Sequence, residues 1–249
     1  MNNNNFMPKP DSSIWNELSW HPSNDQMYQF QLFQDFLINI NSQLNLTRLL
    51  EGNDFWIAQV FDSLWPFKEE LKHPELSREL IDVGSGCGFP GLALAIALPR
   101  SKVTLVEAVT KKQQAIQSIA NLLKINSRVD ILNERIESTG QNPKYRGKFD
   151  IAMARAVGID SVVAEYLVPL IKDSGEAVLF KGKWSLSDKE TLESTLKILN
   201  SKINLIESIQ LPASRGIRHQ IRINLITKCP KQYPRAIGIP KKRPLCNPN

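Results

Sequence analysis

The sequence predicts an α/β fold: a seven-stranded, mostly parallel sheet with helices on both faces, preceded by a helical cap. Three observations carry this. Short apolar runs alternate with helix-period segments from about residue 78 onward. The first run, Leu80-Ile81-Asp82-Val83, enters a glycine loop and then a helix. The second run, Val103-Thr104-Leu105-Val106, ends in Glu107, 23 residues after Gly84, where a doubly wound sheet places a carboxylate for ribose hydroxyls.

Taken in order, residues 1–24 are an Asn-rich polar lead, expected to be partly disordered. Residues 25–72 form the cap. Met27, Phe30, Phe33, Leu37, Ile40 and Leu44 step by three or four and predict one amphipathic helix over Asp25 to Leu44. A second helix is expected over Asp54 to Trp65, ended by Pro66. Its aromatic residues Trp56, Phe61 and Trp65, with Phe67 beyond, lie at helical spacing and read as core rather than base-stacking platforms.

The sheet domain covers 78–228. Strands are expected at Glu79 to Val83, Lys102 to Glu107, Arg128 to Leu132, Phe149 to Ala154 and Ala177 to Phe180. Helices are expected at Gly91 to Leu98, Lys111 to Lys124, Ile159 to Ile171 and Asp188 to Leu199. The final pair, Ile203 to Ile209 and Gln220 to Thr227, closes the sheet antiparallel; Ile221, Ile223 and Leu225 alternate as in a half-buried strand. Residues 229–249 are a basic, proline-containing tail.

The loop reads Gly84-x-Gly86-x-Gly88 and is followed by Phe89-Pro90-Gly91, with Pro90 suited to a first helical turn. Its glycines let a ligand approach the backbone. A dinucleotide fingerprint would place a glycine at Phe89. With Asp82 before it, the pattern resembles the first motif of class I S-adenosylmethionine-dependent methyltransferases, whose cofactor has no pyrophosphate. An NAD(P)-dependent oxidoreductase shares the fold and Glu107, but Phe89 argues against it.

Composition narrows the class. With 249 residues, 42% hydrophobic and 22% charged, the chain reads as an ordinary soluble protein. No apolar run is long enough for a bilayer, and the Asn-rich start lacks the features of a secretory signal, so a cytoplasmic location is expected. Cys87, Cys229 and Cys246 are scattered, as in a reducing compartment, and without C-x-x-C or H-x-x-x-H no metal site is expected. Cys87 reads as a small packing residue of the loop. The net charge is +6, yet Ser208 to Asn249 holds nine Lys and Arg and no acid, so the rest is net acidic. That skew fits a polyanion-facing surface, and it would equally suit a non-catalytic RNA-binding protein.

Open α/β sheets bind ligands at the carboxyl ends of their strands. Gly84, Glu107, Arg135-Ile136-Glu137, Arg155 and Lys181 all fall there. The strand-four exit, Met153-Ala154-Arg155-Ala156-Val157-Gly158, lacks the Asn/Asp-Pro-Pro-aromatic loop of exocyclic amine methyltransferases. Cys229-Pro230 is reversed from, and misplaced for, a cytosine-C5 nucleophile. An Arg here suits an acceptor with its own lone pair, such as guanine N7, whose edge is usually met by Arg or Lys; no general base is then required. Arg155 and Lys181 are the catalytic candidates, with Arg155 open to cofactor, base or phosphate.

Together Asn45-Leu46-Thr47-Arg48, Asp62-Ser63-Leu64, the segment Asp82 to Gly91, Arg135-Ile136-Glu137, Arg155-Ala156, Lys181-Gly182, Arg218-His219 and Tyr233 to Pro240 resemble the bacterial 16S rRNA guanine-N7 methyltransferases, first called the glucose-inhibited division protein B family. The likeness spans about residues 25 to 245. Cys87 stands where Ala is common, and Phe61 stands at a cap position where a polar or smaller residue is expected. The resemblance implies methylation of one guanosine in the 530 loop by S-adenosyl-L-methionine, with 16S rRNA or the small ribosomal subunit as partner; nothing in the sequence demands more than a monomer. It places cofactor contacts on Gly84, Gly86, Gly88, Phe89, Glu107, Ala108, Val109, Ile136, Glu137 and Arg155, and RNA contacts on Arg48, Lys181, Arg218, His219 and Arg235.

Overall fold

The computed structural model describes residue 10 and residues 12–44 and 46–246. The start of the polar lead, Asn45 and the last three residues lie outside these. Seven strands form one sheet in the order β3-β2-β1-β4-β5-β7-β6. They are β1 Glu79–Val83, β2 Lys102–Val106, β3 Val129–Leu132, β4 Phe149–Arg155, β5 Ile171–Lys181, β6 Ser201–Gln210 and β7 Ile217–Leu225. Strands β1 to β5 are parallel, and β7 runs antiparallel to both neighbours. The apolar runs read as strands because both faces of the sheet are covered.

One face carries the helices Gly91–Ala97 and Thr110–Leu122 beneath the cap; the other carries Asp160–Leu167 and Leu186–Ile198. The cap helix Asn24–Leu44 buries Phe30, Phe33 and Leu37 completely. It is also fastened by polar groups: Gln26 Nε2 donates to the carbonyls of Ile96 and Ala97, and Gln29 Nε2 to that of Leu123. Carbonyls at helix ends lack intrahelical partners, so the cap satisfies groups that would otherwise need water.

The second cap helix does not end at Pro66. Helical backbone continues from residue 52 to 71, passing through a π-helical segment, Trp56–Phe61, and a 3-10 turn, Trp65–Phe67. Proline is tolerated because it sits in the first turn of the 3-10 piece, where its missing N–H is not needed. Trp56, Phe61, Trp65 and Phe67 are all buried, as core aromatics.

Three short helices depart from expectation. Ser13–Leu18 lies within the stretch read as a polar lead, yet its Ile14, Trp15 and Leu18 are buried; Trp15 meets Trp56 edge-on at 6.2 Å. Ile136–Gln141 follows β3, and Ile239–Lys242 lies in the tail. Strand β5 also begins earlier than its apolar run, pairing Phe149 with Ile171 before a register shift. Among the described residues no helix is long and apolar enough to cross a membrane.

Candidate active site

Near the end of strand β1 stands Asp82, which is fully buried and accepts a hydrogen bond from the Gly91 amide at 2.9 Å through Oδ2. Its Oδ1 has no hydrogen-bond partner among the described residues, and burial pushes the carboxyl up to about 6. Asp82 therefore ties the loop to the start of the helix Gly91–Ala97, with Pro90 just ahead of that helix. Gly84 has φ +72°, and a Cβ there would stand 2.7 Å from Cγ2 of Val157. Glycine thus serves both the turn and the close approach of the β4 exit.

At the end of β2, both oxygens of Glu107 are anchored. Oε2 accepts from the Gly86 amide at 3.0 Å and Oε1 from the Val109 amide at 2.8 Å. A carboxylate oxygen has a second lone pair, so each can still accept from a hydroxyl. The glycine loop and the carboxylate are thus held as one unit.

Phe89 faces the cap. Its ring stacks on Phe33 at 4.6 Å and 12° and meets Phe55 edge-on at 5.9 Å. Such pairs add about 0.5–1.5 kcal/mol beyond buried area, so Phe89 pins the loop to the cap helix. The Arg155 guanidinium lies 5.7 Å from the centre of the Phe89 ring. It donates to the Ala58 carbonyl and to Asp62 Oδ2, each at 3.2 Å, and also to Gln59 Oε1. All three partners belong to the second cap helix, residues 52–71. Asp62 is also 3.5 Å from Arg218 Nε. Burial raises the Asp62 carboxyl's pKa, with Arg155 and Arg218 opposing. Lys181 pairs with Asp160 at 2.9 Å, and there too burial raises the acid.

A cleft of about 760 Å³ opens at the carboxyl ends of the strands. It brings together Gly84, Gly86, Phe89, Glu107, Arg155, Lys181 and Arg218. Gly88, Ala108, Val109, Ile136, Glu137, Arg48, His219 and Arg235 do not line it. Gly88 packs inward, where a Cβ would meet Leu92 at 2.6 Å. Glu137 is buried; it accepts from the Gly238 amide at 2.9 Å and from the Tyr166 hydroxyl at 3.3 Å, so its carboxylate holds the tail. Ile136 joins the core.

Arg235 grips the fully buried Glu165 through Nε at 2.9 Å and Nη2 at 2.6 Å, which makes it an anchor rather than a surface charge. Arg48 is exposed beside the lining residues Thr47 and Leu49. His219 lies across from Lys181 in the sheet, and its Nδ1 is buried without a hydrogen-bond partner among the described residues. Cys87 is buried, which raises its thiol pKa, as suits a packing residue.

Sequence reading gave no role to Gln59, Asp62, Asp160 or Thr47. All four line the cleft. Gln59, Asp62 and Ser63 interrupt an otherwise apolar cap stretch, and Thr47 and Asp62 fall within the motifs that carry the family resemblance; those were the signals in the sequence.

A family profile described as rRNA small subunit methyltransferase G matches residues 26–217. The chain belongs to this family. A ribosomal RNA small subunit methyltransferase G from Prochlorococcus marinus strain MIT 9313 is 50% identical over 245 residues, covering 98% of this chain and 99% of the relative. One from Synechococcus sp. strain CC9311 is 51% identical over 234 residues, 94% of this chain and 92% of that one. Among solved structures, a 16S rRNA (adenine(1408)-N(1))-methyltransferase from Catenulisporales acidiphilia aligns with a TM-score of 0.52 at 16% identity, covering 64% of this chain and 91% of that one. That likeness shows the shared fold.

This member of the rRNA small subunit methyltransferase G family is thus a methyltransferase with S-adenosyl-L-methionine as its cofactor, and the oxidoreductase and non-catalytic readings fall away. The cleft suits the cofactor: Gly84 is exposed to it, and the anchored Glu107 keeps acceptor capacity for ribose hydroxyls.

Proposed function

We propose that this enzyme methylates N7 of one guanosine in the 530 loop of 16S rRNA, acting as a monomer in the cytoplasm on the rRNA or the small subunit. The supporting observation is that the three carboxylates lining the cleft are all engaged. Asp62 is held by Arg155 and Arg218, Asp160 by Lys181, and Glu107 by two backbone amides. None stands free as a general base. An acceptor that must lose a proton would need one, whereas guanine N7 attacks with its own lone pair.

When bound, the cofactor would supply an electrophilic sulfonium methyl group for in-line attack by N7, its sulfur leaving as a neutral thioether. Glu107 would hold its ribose, and the glycine loop would let its backbone-facing part lie close. The cap, pinned by Phe89, excludes water from one wall of the cleft. Lys181 and Arg155 supply cations for the O6 edge of guanine and the flanking phosphates, and Arg218 one for the backbone. Arg48, exposed beside the lining residues Thr47 and Leu49, would extend that surface.

The test is to map N7-methylguanosine in small-subunit rRNA from cells with and without the gene, using cleavage at the modified base. One site should be lost without the gene and regained on complementation. An unchanged pattern, or a methyl group on another atom, would overturn the assignment.

A further inference from the structure

Among the described residues, Asp62 is the one acidic side chain shared by two cations of the cleft. Its Oδ2 lies 3.2 Å from Nη1 of Arg155, beside the cofactor loop, and its Oδ1 lies 3.5 Å from Nε of Arg218, on β7 at the cleft's mouth. The carboxylate is nearly inaccessible, its side chain 7% exposed, while Arg218 keeps 30%. Local backbone explains the placement. A π-helical segment widens the turn that ends at Phe61, so the Ala58 carbonyl, Gln59 and Asp62 all face Arg155. Gln59 in turn donates to Thr47 Oγ1 at 3.0 Å, which ties in the cap loop. Arg218 Nη1 sits 3.9 Å from where a Cβ would be at both Gly182 and Gly216, so the lysine-bearing exit of β5 and the β6–β7 turn flank it.

We propose that Asp62 is a positioning residue for methyl transfer: by holding Arg155 and Arg218 on one buried carboxylate, it sets the target nucleotide's place relative to the cofactor loop. This rests on the rRNA methyltransferase reading above. Its signature is specific. Asp62 brings negative charge into a polyanion-binding cleft, so neutralising it should not weaken RNA binding and should tighten it. What is lost is geometry, and misplacing a substrate slows the chemical step.

The experiment compares wild type, Asp62→Asn, Asp62→Glu, Arg218→Gln and the double variant Asp62→Asn/Arg218→Gln. It measures S-adenosylhomocysteine affinity, affinity for small-subunit rRNA at two salt concentrations, and kcat at saturating RNA. For Asp62→Asn, kcat should fall about tenfold or more. RNA affinity should be equal or tighter, and S-adenosylhomocysteine affinity should stay within about threefold. Asp62→Glu keeps the charge and should recover part of kcat. In the Arg218→Gln background, Asp62→Asn should cost less than alone, because half of its action is already gone.

An unchanged kcat in folded Asp62→Asn overturns the proposal. So does RNA affinity that weakens in step with kcat, which would mean a contact or a general loss of structure. If Asp62→Asn does not fold, Asp62→Glu with wild-type melting decides in its place: an undiminished kcat in Asp62→Glu, or an additive loss of kcat in the double variant Asp62→Glu/Arg218→Gln, overturns the linkage. Absence of methyl transfer to rRNA by the wild type is a separate failure, that of the function itself.

Discussion

Arg218 and Arg222 stand four residues apart on β7, yet they do different work. Arg222 points into the body and is 10% exposed; it pairs with Glu70 at 2.9 Å and Glu176 at 2.6 Å, donates to the Pro66 carbonyl, and lies 5.7 Å from the centre of the Phe67 ring. Arg218 sits at the rim, with one longer ion pair to Asp62 and room toward the cleft. The buried cation is surrounded and fixed, while the rim cation is balanced by a single acid and left able to meet a phosphate. For this pair, charge divides by depth and not by position along the chain.

The division is sharpest where its failure costs most. Arg222→Ala would leave Glu70 and Glu176 uncompensated in the body and should destabilise the fold by about 3–5 kcal/mol, read by urea unfolding. A loss under about 1 kcal/mol would place Arg222 with the rim group.

Asp82, beneath the glycine loop, tests the buried side by pH. Its folded-state pKa is about 6 against an ordinary 3.8, so the folded protein binds the proton more tightly than the unfolded chain. Its contribution is therefore most favourable below about pH 3.8 and becomes a penalty as pH rises through about 6. Asp82→Asn, which keeps an acceptor for the Gly91 amide, should remove that penalty. Its stability relative to wild type should rise with pH between 4 and 6 by roughly 2–3 kcal/mol. Parallel stability curves would show that Asp82 does not titrate in this window.

Gly84→Val tests the junction of loop and β4 exit. The φ of +72° and the 2.7 Å approach to Val157 should cost about 1–3 kcal/mol and abolish S-adenosylhomocysteine binding in calorimetry. Retained binding would make the loop only structural. The smallest effect belongs to the rim: Arg218→Gln should leave melting unchanged and reduce the slope of log affinity for rRNA against log salt by about 1. An unchanged slope would remove Arg218 from the RNA surface.

The alternation of apolar runs and helix-period segments specified the strands and most helices, because a run buried on both faces leaves no other pattern. Short helices escaped: Ile136–Gln141 carries Ser, Thr and Gly, and its stability comes from packing. The basic end of the chain shows the same limit. The nine positive charges from Ser208 to Asn249 read alike in sequence, yet Arg222 and Arg235 are spent on buried glutamates, and Arg146 donates to the carbonyls of Cys229 and Pro230 to hold the tail.

By itself, the sequence determined the sheet, the cofactor loop with Glu107, and the strand ends that carry Arg155 and Lys181. These follow from local pattern and from the rule that strand ends share an edge. Only the tertiary structure decided which charges face the cleft and which hold the body. A side chain's role depends on what lies within about 4 Å of it. Glu137 met the tail, Phe89 met Phe33, and Asp62 met two arginines from distant strands, through contacts that no spacing along the chain records.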